Sequence, residues 1–389
     1  MNLLWITRFP PYSPLRGGAY DYSRDLIGAL ARCATVRGLA FSTPEVTPPE
    51  DRVRWETMHH REPPRIASLA STLPNVAARN VDAALLDRAV ALARDSDGVF
   101  VDFIAMAWLV APLQARLKAA PGAPPVIMVS HNHEHAMRTQ MARHARSPIM
   151  GAALALDAWK AGRLERTANA AADGLTTIIA TDKEAFAREC ATPGLTLPPV
   201  YAGPVRAERT IDATTPRVAA VLGNRNATHK MMVLQRTLTA FAAAGLDRSA
   251  KIEIAGEGNY ESLRGRYPAM DFRGYVPDLV AYLDRVRLGL LSDDIGGGFK
   301  IRAMSYAMLR VPMLALREAM AGMEFEEGVH FIGVDDLTEM AEAATSLIDD
   351  FDRLNALQEA AFAFASKRFD ADVAGRRMTD FVTSLGTSQ

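Results

Sequence analysis

Cysteine is nearly absent. The 389-residue chain has two, Cys33 and Cys190, far apart in sequence. They offer no disulfide framework and no metal or redox spacing. A reducing compartment suits such a pair, and buried, inert thiols are the expectation. Excess positive charge is lacking too: 44 Lys and Arg stand against 45 Asp and Glu. That balance removes the electrostatic footprint of a nucleic-acid binder. No apolar run approaches the roughly 20 residues of a membrane span. The longest candidate, Val99–Leu113, carries Asp102 and Pro112 and divides into a strand and a helix. The opening MNLLWITRF has no basic n-region and no long apolar core, so it reads as a first strand and not a signal peptide. Internal repeats and low-complexity tracts are missing as well. These absences leave a globular, cytoplasmic chain, long enough for two domains with separate cores.

What is present is alternation. Asn2–Ile6, Gly98–Asp102, Pro125–Ser130 and Gly174–Ala180 read as strands, separated by helical stretches such as Tyr20–Arg32, Ala105–Ala119 and Asp157–Ala172. Pro and Thr then crowd LTLPPVYAGPVRAERTIDATTP (Leu195–Pro216), which reads as a linker. Alternation restarts with strands at Arg217–Leu222, Lys251–Ala255, Asp271–Arg273, Arg287–Leu291 and Pro312–Leu316. Helices are expected at Met231–Ala243, Asp278–Arg285, Asp336–Asp349, Arg353–Ser366 and Ala371–Leu385. The pattern predicts an α/β protein of two doubly wound, Rossmann-like domains, with ligands at the carboxyl ends of the strands and the cleft between them as the site.

The most informative stretch is SDDIGGGFKIRAMSYAMLRVP, Ser292–Pro312. A short apolar strand, RLGLL, meets Asp293 and Asp294, then three glycines, then a helical pattern from Phe299. Ile301, Met304 and Met308 share one predicted apolar face. Glycines ahead of a helix N-terminus let backbone N–H groups approach an anion. The helix dipole and Lys300 add positive charge, which together suit a phosphate or diphosphate. A Gly-rich turn that binds nothing has the same composition.

These fragments, with PPYSPLRGGAYDYSRDLIGAL, VSHNHEHAMR, GRLERTANAAADGLTTIIATDKEAF, VLGNRNATHKM, KIEIAGEG and FRGYVPDLVAYL, resemble in order and spacing the retaining glycosyltransferases of GT-B type, in particular family 4. The resemblance runs nearly end to end. It implies an N-terminal acceptor-side domain over residues 1–200 and a nucleotide-sugar donor domain over 201–368. Residues 369–389 become a last helix that crosses back to the first domain. It implies a hexosyltransferase acting in polysaccharide or glycoconjugate biosynthesis, with a nucleoside diphosphate sugar as donor and a saccharide or lipid-linked acceptor. No metal or other cofactor is expected.

Residue by residue, the resemblance puts Gly17 and Gly18 in the loop facing the donor, and His131 at the catalytic strand end as a contact to the donor sugar. Arg225, Lys230, Gly297, Gly298 and Lys300 become diphosphate contacts. Glu165, Arg166 and Asp182 match the family's following helix. Glu134, Asp293 and Asp294 are candidate acceptor or sugar contacts, although acids before a helix are also common caps. His133, Glu134 and His135 invite a metal, but H-x-H-E-H on a loop lacks the i, i+4 helical pair of H-E-x-x-H.

One departure matters. Where the family has a ribose-binding glutamate this chain has Ser305, ~140° around the helix from Lys300. A neutral hydroxyl cannot accept two ribose hydroxyls as a carboxylate does. Arg310 stands where a glycine commonly ends that helix, so a different turn geometry is expected. Both changes feed the alternative of a non-catalytic GT-B-like partner or scaffold that has lost donor binding. A nucleotide-sugar epimerase would need a set of cleft acids that cannot be placed here. Finally, Arg138, Arg143, His144 and Arg146 are interleaved with Met137, Met141 and Met150. That stretch fits peripheral contact with anionic headgroups at the inner membrane face, and equally a solvated helix face.

Overall fold

The computed structural model describes residues 1–12, 18–43, 46, 52–64, 68, 70–119, 121–143, 145, 147–226, 228–293 and 299–387. The chain divides into two compact units, residues 1–200 with 371–389, and residues 201–370.

The first unit contains strands β1 (Asn2–Ile6), β2 (Thr35–Phe41), β3 (Val53–Met58), β4 (Gly98–Asp102), β5 (Val126–Val129), β6 (Gly174–Thr177) and β7 (Gly194–Thr196). Its helices are α1 (Gly18–Leu30), α2 (Asn75–Ala78), α3 (Ala83–Ala93), α4 (Val110–Leu117), α5 (Glu134–Arg143), α6 (Pro148–Ala171) and α7 (Ala180–Glu189). All sheet pairings are parallel, in the order β3-β2-β1-β4-β5-β6-β7. The central strands LLWI, VFVD and VIMV are apolar and buried because helices cover both faces. Alternation assigns the faces: Leu4, Ile6, Val99 and Val101 enter one core, and Leu3, Trp5 and Phe100 the other.

The second unit contains β8 (Val218–Leu222), β9 (Lys251–Ala255), β10 (Asp271–Gly274), β11 (Leu288–Leu291), β12 (Met313–Leu316) and β13 (Ile332–Val334). Its helices are α8 (Thr228–Ala243), α9 (Leu246–Ser249), α10 (Glu261–Arg266), α11 (Leu279–Leu283), α12 (Ile301–Met308), α13 (Arg317–Met320), α14 (Leu337–Leu347) and α15 (Phe351–Arg368). The parallel order is β10-β9-β8-β11-β12-β13. In each unit the strand order reverses beside the first strand, between β1 and β4 and between β8 and β11. Such a switch point opens a crevice beyond the carboxyl ends of the strands.

The last helix, α16 (Ala371–Gly386), belongs to the first unit. Its Met378, Val382 and Leu385 are buried with Leu26, Ile27 and Leu30 of α1. Gly375 permits the approach: a Cβ there would lie 2.4 Å from the Ala29 carbonyl oxygen and 2.8 Å from Cys33 Sγ. Backbone cannot yield as a flexible side chain can. Gly375→Ala should therefore push α16 off α1 and cost about 2–3 kcal/mol, read as a lower thermal midpoint.

Several sequence expectations change. Strands β2, β3, β7 and β13 are additional. TVRGLAF is interrupted by Arg37 and Gly38, and VRWETM is a polar edge strand, so neither has the apolar run that marks the central strands. The strand expected over Gly174–Ala180 stops at Thr177, and Ala180 opens α7. Ile301 is exposed; the buried positions of α12 are Ala303, Met304, Tyr306, Ala307 and Met308. Cys33 is exposed and Cys190 half-buried, so the thiols are not the buried pair expected.

The Leu195–Pro216 passage, expected as the linker, contains the boundary between the units at Val200 and Tyr201, and its second part is tied down. Arg209 donates to the carbonyls of Asp284, Val286 and Arg310, and Arg206 pairs with Asp284. Arg310 itself takes the left-handed conformation (φ 55°) that a glycine would supply. The turn geometry is thus kept, contrary to expectation. Its guanidinium lies over Phe362 and donates to Arg206 O, Gln358 and Glu359, which offsets the backbone strain.

Candidate functional site

The crevice of the second unit is built by turns that follow β8 and β11. After β8 the chain passes Gly223 (φ 128°) into Arg225, whose N–H donates to Glu257 O at 2.6 Å. Arg225 is only 2% exposed. One N–H of its fork donates to Leu222 O at 3.2 Å, and Nη1 lies 3.7 Å from Asp293 Oδ1. Nε and Nη1 have no hydrogen-bond partner among the described residues. Burial lowers the pKa of this guanidinium. Desolvated, unsatisfied donors of this kind are costly unless an acceptor arrives.

Arg302 is the second guanidinium here, and the sequence reading missed it. It donates to the same Leu222 O and pairs with the other oxygen of Asp293. Burial, and then the charge of Arg225, push its pKa down to about 10. Lys300, half-buried at the N-cap of α12, is lowered by burial and next by Lys230. Lys230 itself is exposed on the first turn of α8. Arg225 and Arg302 therefore share the Asp293 carboxylate, and Lys300 and Lys230 stand at the starts of α12 and α8, close enough for one charge to act on the other. That carboxylate faces the arginines and is not a cap. Beside Arg225 an open pocket of about 660 Å³ is walled by Met231, Met232 and Gln235 of α8 and by Asn259. Gly17, Asp294, Gly297 and Gly298 lie outside the described residues; Gly18 is the first residue of α1.

Ser305 faces Tyr201, with its hydroxyl bonded toward the phenol. The Tyr201 phenol donates in turn to Pro204 O. Tyr306, the next residue, donates to Ala220 O (2.8 Å) and accepts from Leu222 N–H (3.2 Å), which pins α12 to β8 beneath the cations.

In the first unit the crevice is lined at the ends of β4 and β5. His131 is buried. Its Nε2 lies 2.8 Å from Asp102 Oδ1, and the Trp5 indole donates to the other oxygen at 3.3 Å. Tyr22 and Phe103 hold the imidazole ring edge-on and tilted. Phe103 has φ 72°, a strained value for a non-glycine residue beside a site. With Nε2–H given to Asp102, Nδ1 is left as an acceptor, and it has no partner among the described residues. The first residue of α5 holds a second buried acceptor without a partner among the described residues, Glu134 Oε1. Asp102 was not singled out from sequence. The signal was there, an acid closing the apolar strand VFVD at its carboxyl end.

The two neighbouring histidines part ways. His133 stacks on Phe186 and meets Glu189 at 3.2 Å, while His135 bonds Ala158 O and packs on Gly162. Among the described residues no group of three or more His, Cys, Asp or Glu is placed to hold a metal. Glu165 accepts the N–H groups of Glu134 (2.9 Å) and His135 (3.2 Å), and so caps α5 from α6. Asp182 accepts the His133 N–H. Arg166 is exposed.

Burial raises Glu165 from 4.5 to about 7. A raised acid binds its proton more tightly in the folded state. Its stabilising contribution is complete below pH 4.5 and is lost as pH climbs through 7. Glu165→Gln should flatten that part of the stability–pH curve, measured by urea unfolding at pH 5 and pH 7.5. An unchanged slope would remove Glu165 as its source.

Residues 233–381 match a family described as Glycosyl transferase-like. No curated protein matches the sequence. Among solved structures the chain is similar to HepE of Anabaena in complex with UDP, at 14% identity and TM-score 0.66, covering 99% of this chain and 100% of that one. It is similar to sucrose-phosphate synthase of Thermosynechococcus elongatus at 14% identity and TM-score 0.70, with 100% of both chains covered. The lipopolysaccharide outer core galactosyltransferase WaaB, in its apo form, gives 11% identity, TM-score 0.63 and 99% of each chain. These likenesses, with the two parallel sheets, define a two-domain GT-B fold.

Proposed function

We propose that this protein is a glycosyltransferase that moves a hexose from a nucleoside diphosphate sugar to a saccharide or glycolipid acceptor, as in polysaccharide biosynthesis. The observation that carries the reading is Arg225, a buried guanidinium whose Nε and Nη1 have no hydrogen-bond partner among the described residues, at a switch point. It is joined by Arg302, which shares Asp293 with it, and by Lys300 and Lys230 at the starts of α12 and α8. A diphosphate supplies the acceptors that the Arg225 fork lacks among the described residues. The bond from the sugar's anomeric carbon to the β-phosphate oxygen breaks, and negative charge grows on the leaving diphosphate. Cations already in place stabilise it without reorganisation. The acceptor oxygen bonds to the anomeric carbon, its proton passes to the leaving phosphate, and configuration is retained. His131 Nδ1 and Glu134 Oε1 of the first unit are suited to accept sugar or acceptor hydroxyls. No metal or cofactor enters this reading. Asp293, held between two arginines, serves the site by orienting them. We place the reaction in the cytoplasm, at the inner membrane face where the acceptor is lipid-linked.

A thermal-shift screen against UDP, GDP, ADP and dTDP tests the reading. One nucleotide should stabilise the protein by ~2.7 kcal/mol at a hundredfold excess over its dissociation constant. Arg225→Ala or Lys300→Ala should weaken that nucleotide ~10–100-fold, the worth of a charge-assisted bond. If none of the four shifts the protein at millimolar concentration, the donor site is lost. The chain is then the non-catalytic partner that Ser305 suggests.

A further inference from the structure

Helix α6 is twice the length its core contacts require. Its buried residues run from Ala158 to Asn169, and its first half, from Pro148, lies on α5 with no fully buried residue. At the outer end of this hairpin the surface is apolar. Ile149 is 85% exposed and Trp159 53%, with Met141, Met150 and Leu156 also exposed. Five of the twelve large hydrophobic residues exposed among the described residues therefore lie on this one hairpin. A cluster of that kind marks an interaction surface.

The order of residues along the solvent face is informative. Ile149, Ala152, Leu156, Trp159, Arg163 and Arg166 follow at spacings of three and four, so they form one stripe. At ~1.5 Å per residue the stripe is ~25 Å long. It is aliphatic toward the hairpin tip, then indole, then guanidinium. Arg143, at the end of α5, adds a third exposed cation.

Acids are excluded from this face. The only ones between residues 134 and 171 are Glu134, Asp157 and Glu165, and each is turned inward. Glu134 and Asp157 hold Arg138, and Glu165 caps α5. Arg138 is thus not part of the outward basic patch expected from sequence. Arg163 and Arg166 take its place, and neither has an ion pair among the described residues. His144 and Arg146 lie outside those residues.

We infer that the α5–α6 hairpin docks on an anionic lipid surface, with Ile149, Leu156 and Trp159 at the acyl boundary and Arg163 and Arg166 at the headgroup phosphates. The graded order matches the depth profile of a bilayer interface: hydrocarbon, then interfacial indole, then phosphate. A second copy of the chain would bury Arg163 and Arg166 on a face that offers them no acid, and an acidic protein would leave Ile149 without reason to be bare. This locates the membrane contact of the proposed function. It stands on surface chemistry alone, so vesicle binding and nucleotide binding fail separately.

The test is co-sedimentation of the full chain with vesicles of equal parts phosphatidylglycerol and phosphatidylcholine, and with phosphatidylcholine alone. Binding is expected to the anionic vesicles, with a blue shift of tryptophan emission that Trp159→Phe removes. Ile149→Asp should weaken binding at least tenfold. Arg163→Glu with Arg166→Glu should abolish the preference for anionic lipid. Val329→Asp, an exposed position of the second unit, should change neither. Absence of binding to anionic vesicles, or binding that survives Ile149→Asp, overturns the inference. So does a concentration-dependent mass that Ile149→Asp abolishes, which would make the face a contact between copies.

Discussion

Asp102→Ala is expected to lower the stability of the first unit by about 3–5 kcal/mol. The carboxylate is fully buried and holds two buried donors, the Trp5 indole and His131 Nε2. Removing it orphans both, at about 1–3 kcal/mol each, and leaves a small void. Asp102→Asn should cost about half as much. Its amide oxygen satisfies one donor while its NH₂ group confronts the other. His131→Ala costs less than Asp102→Ala on the same reasoning, since it deprives Asp102 of one partner and keeps the indole. Urea denaturation followed by circular dichroism ranks the three. A loss below 1 kcal/mol for Asp102→Ala would show that the pair is not the buried anchor described. The variant also bears on chemistry. Asp102 fixes the imidazole with Nδ1 as acceptor, so Asp102→Asn should reduce turnover, once a donor is known, more than it changes nucleotide affinity.

Gly256→Ala should be the most damaging one-carbon change in the second unit. Gly256 has φ 136°, a region that side chains rarely adopt, and a Cβ there would lie 2.2 Å from the Gly223 carbonyl oxygen. Both contacting groups are backbone, so the β8 and β9 turns must separate. A cost above about 3 kcal/mol follows from backbone strain and overpacking together. The functional loss should be larger still. Arg225 hangs from this junction through its N–H to Glu257 O, so its guanidinium moves with the turn. Gly274→Ala is the matched control. Its φ is also positive (68°), but nothing lies within 4 Å of the added carbon, so it should cost only about 1–2 kcal/mol. If the two variants lose equal stability, the clash is not what distinguishes them.

The parallel sheets were legible because strands covered on both faces must be apolar from end to end. LLWI, VFVD and LGLL carry that signal directly. The edge strand VRWETM does not, since half its side chains meet water. The candidate site was legible where a charged or titratable residue follows such a strand, as His131 and Arg225 do. Arg302 and Asp102 escaped because their importance is relational. Arg302 looks like any helix-surface cation until Leu222 O and Asp293 are seen to be shared with Arg225. The H-x-H-E-H run misled in the opposite sense: its spacing brings ligand types together in sequence, while the turn into α5 sends each ring to a different neighbour.

The placement of α16 has a consequence for how the chain is made. Core positions of the first unit are filled by Met378, Val382 and Leu385, which are synthesised only after the entire second unit. At roughly 5–20 residues per second the first unit waits on the order of ten seconds or more on the ribosome with that flank uncovered. The second unit, continuous in sequence, closes its own core before then. Biogenesis thus runs against the order of the gene, with the later half maturing first and the earlier half finished by the chain's final helix.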